Sequence, residues 1–133
     1  MIERFHIPGA PAPAGPYSHA VRAGDFIYVS GQGPFNTETG QFELGDIRNE
    51  TRIVITNIQK ILEGAGASLS DVVKCSVFLK DVAEFSAMNE VYSEFFGAAK
   101  PARTTVQAVM PNPEMRVEID CVAYKPLGYL GGR

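Results

Sequence analysis

Arg103 and Glu118 are the side chains whose types and setting point to chemistry. Arg103 follows Pro101 in the run KPART, and a proline fixes the backbone just ahead of it. A guanidinium so held can grip a planar carboxylate through two hydrogen bonds. A glutamate close by can activate water or shuttle protons. Together they suit hydrolysis of a small anionic substrate. Strand parity lets the two meet. From Met115 to Tyr124 the residues Met115, Val117, Ile119, Cys121 and Ala123 are apolar, while Arg116, Glu118 and Asp120 fill the even positions. If Thr104–Val109 pairs with this run as a hairpin turning at Pro111-Asn112-Pro113, then Arg103, Thr105 and Gln107 share a face with Glu118. The same spacing fits an exposed cross-strand ion pair worth well under about 1 kcal/mol, and spacing alone does not separate the two.

Other chemistries find less support. Cys75 and Cys121 are the only cysteines, and each sits in an apolar stretch, CSVFLK and EIDCVAY. They read as buried free thiols in a reducing cytosol rather than a disulfide framework. The histidines, His6 and His19, lie near no cysteine cluster, and CxxC and HExxH are both absent, so no metal site is expected. The net charge of -3 argues against nucleic acid as the main partner, because phosphate binding needs a basic patch. No apolar run approaches the roughly 20 residues of a membrane span, and the start MIERFHIPGAPAPAGP has no signal-peptide core. A cytoplasmic location is expected.

The 133 residues suit one domain. Residues 1–14 read as an extended N-terminal segment and residues 125–133, KPLGYLGGR, as a Gly-rich tail. Tyr17 to Arg22 and Phe26 to Ser30 read as strands of a hairpin around Ala23-Gly24-Asp25. A further turn is expected at Glu38-Thr39-Gly40. Val54, Ile58, Ile61, Leu62 and Ala65 recur on one helical face, which predicts a helix from about Asp46 or Asn49 to Ala65. Val73–Lys80 alternates as a strand. Asp81 and Glu84 have capping-box spacing before a second helix that carries Phe85, Met88, Tyr92, Phe95 and Phe96 and stops at Gly97. That aromatic stripe reads as core. The order β-β-α-β-α-β-β predicts an α+β fold with helices on one sheet face. The other face mixes polar and apolar residues, as a subunit interface does.

Five segments in order, GPYSHAV (15–21), VSGQ (29–32), SVFLKDVAEFSAMNEVYSEFF (76–96), KPART (100–104) and VEID (117–120), resemble the RidA (YjgF-like) family of reactive-intermediate deaminases. The resemblance implies a chorismate-mutase-like α+β fold. It implies a homotrimer with a central β-barrel and sites at the subunit interfaces. It also implies hydrolysis of reactive enamines and imines, of the 2-aminoacrylate/2-iminopropanoate type, to 2-oxo acids and ammonia without a cofactor. Carried over by motif, Arg103 would grip the carboxylate of the small anionic imine and Glu118 would position or activate water. Tyr17, Ser30, Gly31 and Asn89 would shape the pocket. Each has a plainer reading: Tyr17 as a packed aromatic, Gly31 as a strand end, Asn89 as a brace of its own helix. Thr105 stands where the family often has cysteine, so no thiol acts there, although its backbone N–H could donate to the ligand. Two rival functions remain open. One is a ribonuclease or translation inhibitor, and the other is a non-catalytic ligand-binding or chaperone-like trimer.

Overall fold

The computed structural model describes residues 2–128. The strands in chain order are β1 (Ile2–Phe5), β2 (Ala20–Ala23), β3 (Phe26–Gln32), β4 (Phe35–Asn36), β5 (Gln41–Phe42), β6 (Val72–Leu79), β7 (Ala102–Gln107) and β8 (Val117–Tyr124). The helices are α1 (Ile47–Gly64) and α2 (Phe85–Phe96). This is the mixed α+β architecture expected. Two elements differ from expectation at the N-terminus. Ile2–Phe5 forms an edge strand against β2, and Tyr17–Ser18 lies outside β2. The part of the tail beyond Gly128 lies outside the described residues.

Each helix has a local cause. The Asp46 side chain accepts from the Arg48 and Asn49 N–H groups at the start of α1, satisfying donors that have no partner within the helix. At its end Gly66 takes a left-handed φ of 89°. The N–H groups of Gly66 and Ala67 return to the Glu63 and Leu62 carbonyls, the Schellman closure that glycine permits. Asp81 does not cap α2 as its spacing predicts; it caps the short 3-10 turn Val82–Glu84 that leads into it, accepting from Ala83 N–H. Glu84 does not complete the box. Its carboxylate pairs with Arg116 at 3.1 Å, because Arg116 at the foot of β8 offers it a cation.

The main sheet runs β1-β2-β3-β8-β6-β7. This corrects the expected hairpin. β7 pairs parallel to β6, not with β8, and β8 inserts between β3 and β6. Alternation fixes which face a residue takes, but not which strand lies beside it. A parallel pair needs a crossover, and α2 supplies one between β6 and β7. The stretch from Ala108 to Arg116 is too long for a tight hairpin. Val117, Ile119, Cys121 and Ala123 of β8 are buried beneath the helices with Val54, Ile58 and Ile61 of α1. Cys75 and Cys121 face each other across β6 and β8, buried and unlinked.

The new strand order reverses the predicted parity. Cys75 is the register partner of both Arg103 and Cys121, so Arg103 lies on the helix-covered face. Phe78 is the partner of both Val106 and Glu118, so Glu118 lies on the open face. Arg103 and Glu118 therefore do not meet within one chain. The open face leaves Tyr28, Val106 and Tyr124 each more than two-fifths exposed.

Candidate functional site

Two hollows hold the residues singled out by sequence. The larger, about 760 Å³, is lined by Ala14, Tyr17, Ser30, Gly31, Gly33, Phe42, Pro111, Asn112, Met115 and Glu118. The second, about 280 Å³, is lined by Asn89, Tyr92, Ser93, Phe96, Gly97, Lys100, Pro101 and Arg103. Thus Tyr17, Ser30, Gly31 and Glu118 come together, and Arg103 comes together with Asn89. Thr105 lines neither. It is half-buried on β7, opposite Val77.

The larger cleft is assembled where the end of β3 and the start of β8 lie side by side. Ser30 Oγ donates to the Ser18 carbonyl at 2.7 Å, fixing the residue next to Tyr17. The Tyr17 hydroxyl oxygen accepts from Ala14 N–H at 3.1 Å, which curls the Pro- and Gly-rich segment over the cleft. His19 holds that segment from behind. Its Nδ1 accepts from Ile7 N–H at 2.7 Å, so the proton sits on Nε2, which donates to the Pro11 carbonyl at 2.6 Å. Asn57 of α1 donates to the Phe35 carbonyl at 2.9 Å, securing the turn that carries Phe42 into the wall.

Gly31 does not end a strand as expected; it lies inside β3, at the irregular step between Val29 and Gln32. A Cβ built there would collide with the Glu118 carboxylate, so only glycine lets the carboxyl lie against the β3 backbone. Burial, and after it the charge of Asp120, raises the Glu118 pKa above the ordinary carboxylate value. A carboxyl shifted this way, in a cleft, is suited to take and return a proton.

The second hollow forms where α2 ends. Lys100 adopts a left-handed φ of 47° and its N–H closes on the Phe96 carbonyl at 2.8 Å. That turn, followed by Pro101, aims β7 back along β6 and sets Arg103 beneath α2. The Arg103 guanidinium lies 4.6 Å from the Tyr92 ring centroid and 5.4 Å from that of Phe85. The Tyr92 hydroxyl approaches Cys75 and Arg103 but makes no hydrogen bond of ordinary geometry. Burial pushes the Tyr92 phenol and the Cys75 thiol upward, so both stay protonated.

Sequence reasoning missed Phe42, Met115 and Asn112 as cleft walls. Met115 carried only a core signal, from its place in the alternating run. Phe42 lies in a two-residue strand too short for any periodic pattern.

The family described as endoribonuclease L-PSP matches residues 8–125. The chain belongs to this family, the RidA/RutC group. A RutC family protein of Pyrococcus abyssi is 53% identical over 116 residues, covering 87% of this chain and 91% of that protein. A 2-iminobutanoate/2-iminopropanoate deaminase of Dermatophagoides farinae is 42% identical over 115 residues, covering 86% and 90%. Among solved structures, a putative endoribonuclease from Thermotoga maritima superposes with a TM-score of 0.86 at 39% identity, covering 94% of this chain and all of that one. These RidA/RutC relatives place the chain in a family that includes imine deaminases. No helix among the described residues is long and apolar enough to cross a membrane.

Proposed function

We propose that this protein hydrolyses reactive enamine or imine intermediates of the 2-aminoacrylate/2-iminopropanoate type to 2-oxo acids and ammonia, acting as a homotrimer whose sites form between subunits. One observation carries the reading: the acidic cleft of Glu118 and the cationic hollow of Arg103 lie on opposite faces of the sheet. A site using both needs a second copy of the chain to set the hollow of one protomer against the cleft of the next. The partly apolar open face gives such an assembly surface to bury. The name borne by the Dermatophagoides relative supports the substrate class.

In this reading Arg103 holds the substrate carboxylate by its two-pronged edge. The iminium carbon is already electrophilic and needs no cofactor to activate it. Water adds its oxygen to that carbon while Glu118 takes one of its protons. The nitrogen receives that proton from Glu118. As the C–N bond breaks and ammonia leaves, the C=O bond of the 2-oxo acid forms and its O–H proton passes to the regenerated Glu118 carboxylate, which releases it to solvent. Tyr17, Ser30, Gly31 and Asn89 shape the space around the reacting carbon, with the Thr105 N–H as a further donor.

The test is a coupled assay in which a pyridoxal-phosphate-dependent dehydratase generates the imine and 2-oxo acid release is followed with and without this protein. Faster release than the spontaneous rate is expected, and an unchanged rate would remove the reading. Light scattering should give about three times the 14.4 kDa chain mass, and a monomer would remove the intersubunit site. A second reading, RNA cleavage, is favoured by the family's description. The net charge of -3 opposes it. Cleavage of single-stranded RNA that is lost with Arg103→Ala would put it first.

A further inference from the structure

Arg103 is held by aromatic faces and not by acids. Among the described residues no carboxylate pairs with it, while Tyr92 and Phe85 lie under and beside its guanidinium. A guanidinium has two π faces and a donor edge. An Asp or Glu partner would occupy the edge, the part a ligand carboxylate needs. Stacking occupies a face, limits the rotamers of a long side chain, and leaves the N–H edge open to a coplanar acceptor.

The stacking surface is itself rigid. Tyr92 is 8% exposed, and its ring packs against that of Phe96, with centroids 4.8 Å apart. Phe96 is buried in the core. Phe85 lies on the same face of α2, two turns earlier, and is 39% exposed. One ring therefore anchors the guanidinium from the core side and the other shields it on the solvent side. The Tyr92 hydroxyl makes no ordinary hydrogen bond, so the ring, not the hydroxyl, does the holding.

We propose that Tyr92, backed by Phe85, is the positioning residue that sets the plane of the Arg103 guanidinium for a ligand carboxylate. This rests on the reading of Arg103 as the carboxylate grip. It makes the α2 aromatic stripe part of the binding apparatus as well as part of the core, and it predicts that substrate affinity responds to ring chemistry on a helix that need not touch the substrate.

The test measures 2-oxobutanoate binding by calorimetry, KM and kcat on the dehydratase-generated imine, and the thermal midpoint of each variant. Arg103→Ala should abolish binding. If it binds like the parent, Arg103 holds no carboxylate, and this proposal falls together with the Arg103 part of the functional reading. With Arg103→Ala dead, Tyr92→Leu should raise Kd and KM about ten-fold while kcat stays within about three-fold. Tyr92→Phe keeps the ring and should bring Kd and KM back to within about three-fold of the parent. Phe85→Leu opens no core cavity and should raise Kd about three-fold. A folded Tyr92→Leu protein with parental Kd overturns the positioning role and leaves the Arg103 grip standing. A Tyr92→Phe protein as weak as Tyr92→Leu overturns it too, because the hydroxyl would then be the working group. If Tyr92→Leu does not fold, Phe85→Leu decides, and a parental Kd there overturns the proposal.

Discussion

Glu50 and Glu118 are both carboxyls that burial pushes toward the neutral form, yet they are built into the molecule in opposite ways. Glu50 has no accessible surface. Its two oxygens accept from the backbone N–H groups of Arg116 at 2.7 Å and Gly45 at 2.8 Å. It therefore ties α1 to the approach to β8 and to the loop that precedes the helix. Glu118 is half-buried in the cleft and has neither a hydrogen bond nor an ion pair among the described residues. Its oxygens rest against the Gly31 backbone, where a side chain would exclude them. A raised pKa alone does not mark an active group. Glu50 commits both its acceptors to the fold, whereas those of Glu118 are committed to no partner among the described residues.

That contrast can be broken most directly at Glu118. Glu118→Gln keeps the shape and removes the base, so kcat should fall by about 100-fold or more with no loss of thermal stability. A variant that unfolds instead would make Glu118 a second Glu50. The converse is Glu50→Ala. It leaves two buried N–H groups without an acceptor and should cost about 3 kcal/mol, read as a fall of about 10 °C in Tm. The folded fraction should keep kcat/KM within about three-fold of the parent. Loss of activity in the folded protein would show that the carboxyl reaches the chemistry.

Gly31→Ala sharpens the comparison from the backbone side. The added methyl must displace the Glu118 carboxylate, and kcat/KM should drop about ten-fold with little change in Tm. Unchanged kinetics would mean that the carboxyl's place against β3 is immaterial. The smallest effect is in pH. The folded-state pKa of Glu118 lies above its unfolded value, so the folded state binds the proton more readily. The ionised carboxyl then costs stability, a cost that grows as pH rises through that interval and is fully present above it. Glu118→Gln removes it. The Tm of Glu118→Gln minus that of the parent should be positive at pH 7 and close toward zero below about pH 4. A difference that does not vary with pH would mean that the carboxyl is not desolvated.

Sequence periodicity carried the helices and the parity of β6 and β8, because each buries one side against a continuous core. It could not carry β7. There the apolar residue Val106 faces the open side of the sheet and the polar residues Arg103, Thr105 and Gln107 face the helices, the reverse of a core strand. An edge strand beside two aromatic rings can place a cation inward, and alternation does not record that. The family motifs set Tyr17, Ser30, Gly31 and Asn89 in one pocket around Arg103 and Glu118, whereas the chain divides them, Tyr17, Ser30, Gly31 and Glu118 lining the cleft and Asn89 and Arg103 the second hollow. They also offered Arg103 and Glu118 as a pair, and one chain keeps those two apart. Glu50 left a trace that could have been read: it stands four residues before Val54, a polar residue on the apolar face of α1.

The position of β8 also governs when the sheet can exist. It is the last strand among the described residues, yet it lies between β3 and β6. Until residues 117–124 leave the ribosome, the N-terminal hairpin and the β6–α2–β7 unit have no strand to join them, and each exposes an unpaired edge. A nascent chain must therefore reach Tyr124 before its central pairing can form. Pairings of such high sequence separation are slow to form, and open edges are prone to association in the meantime. Premature termination just before β8 should yield aggregation-prone fragments rather than a smaller folded protein.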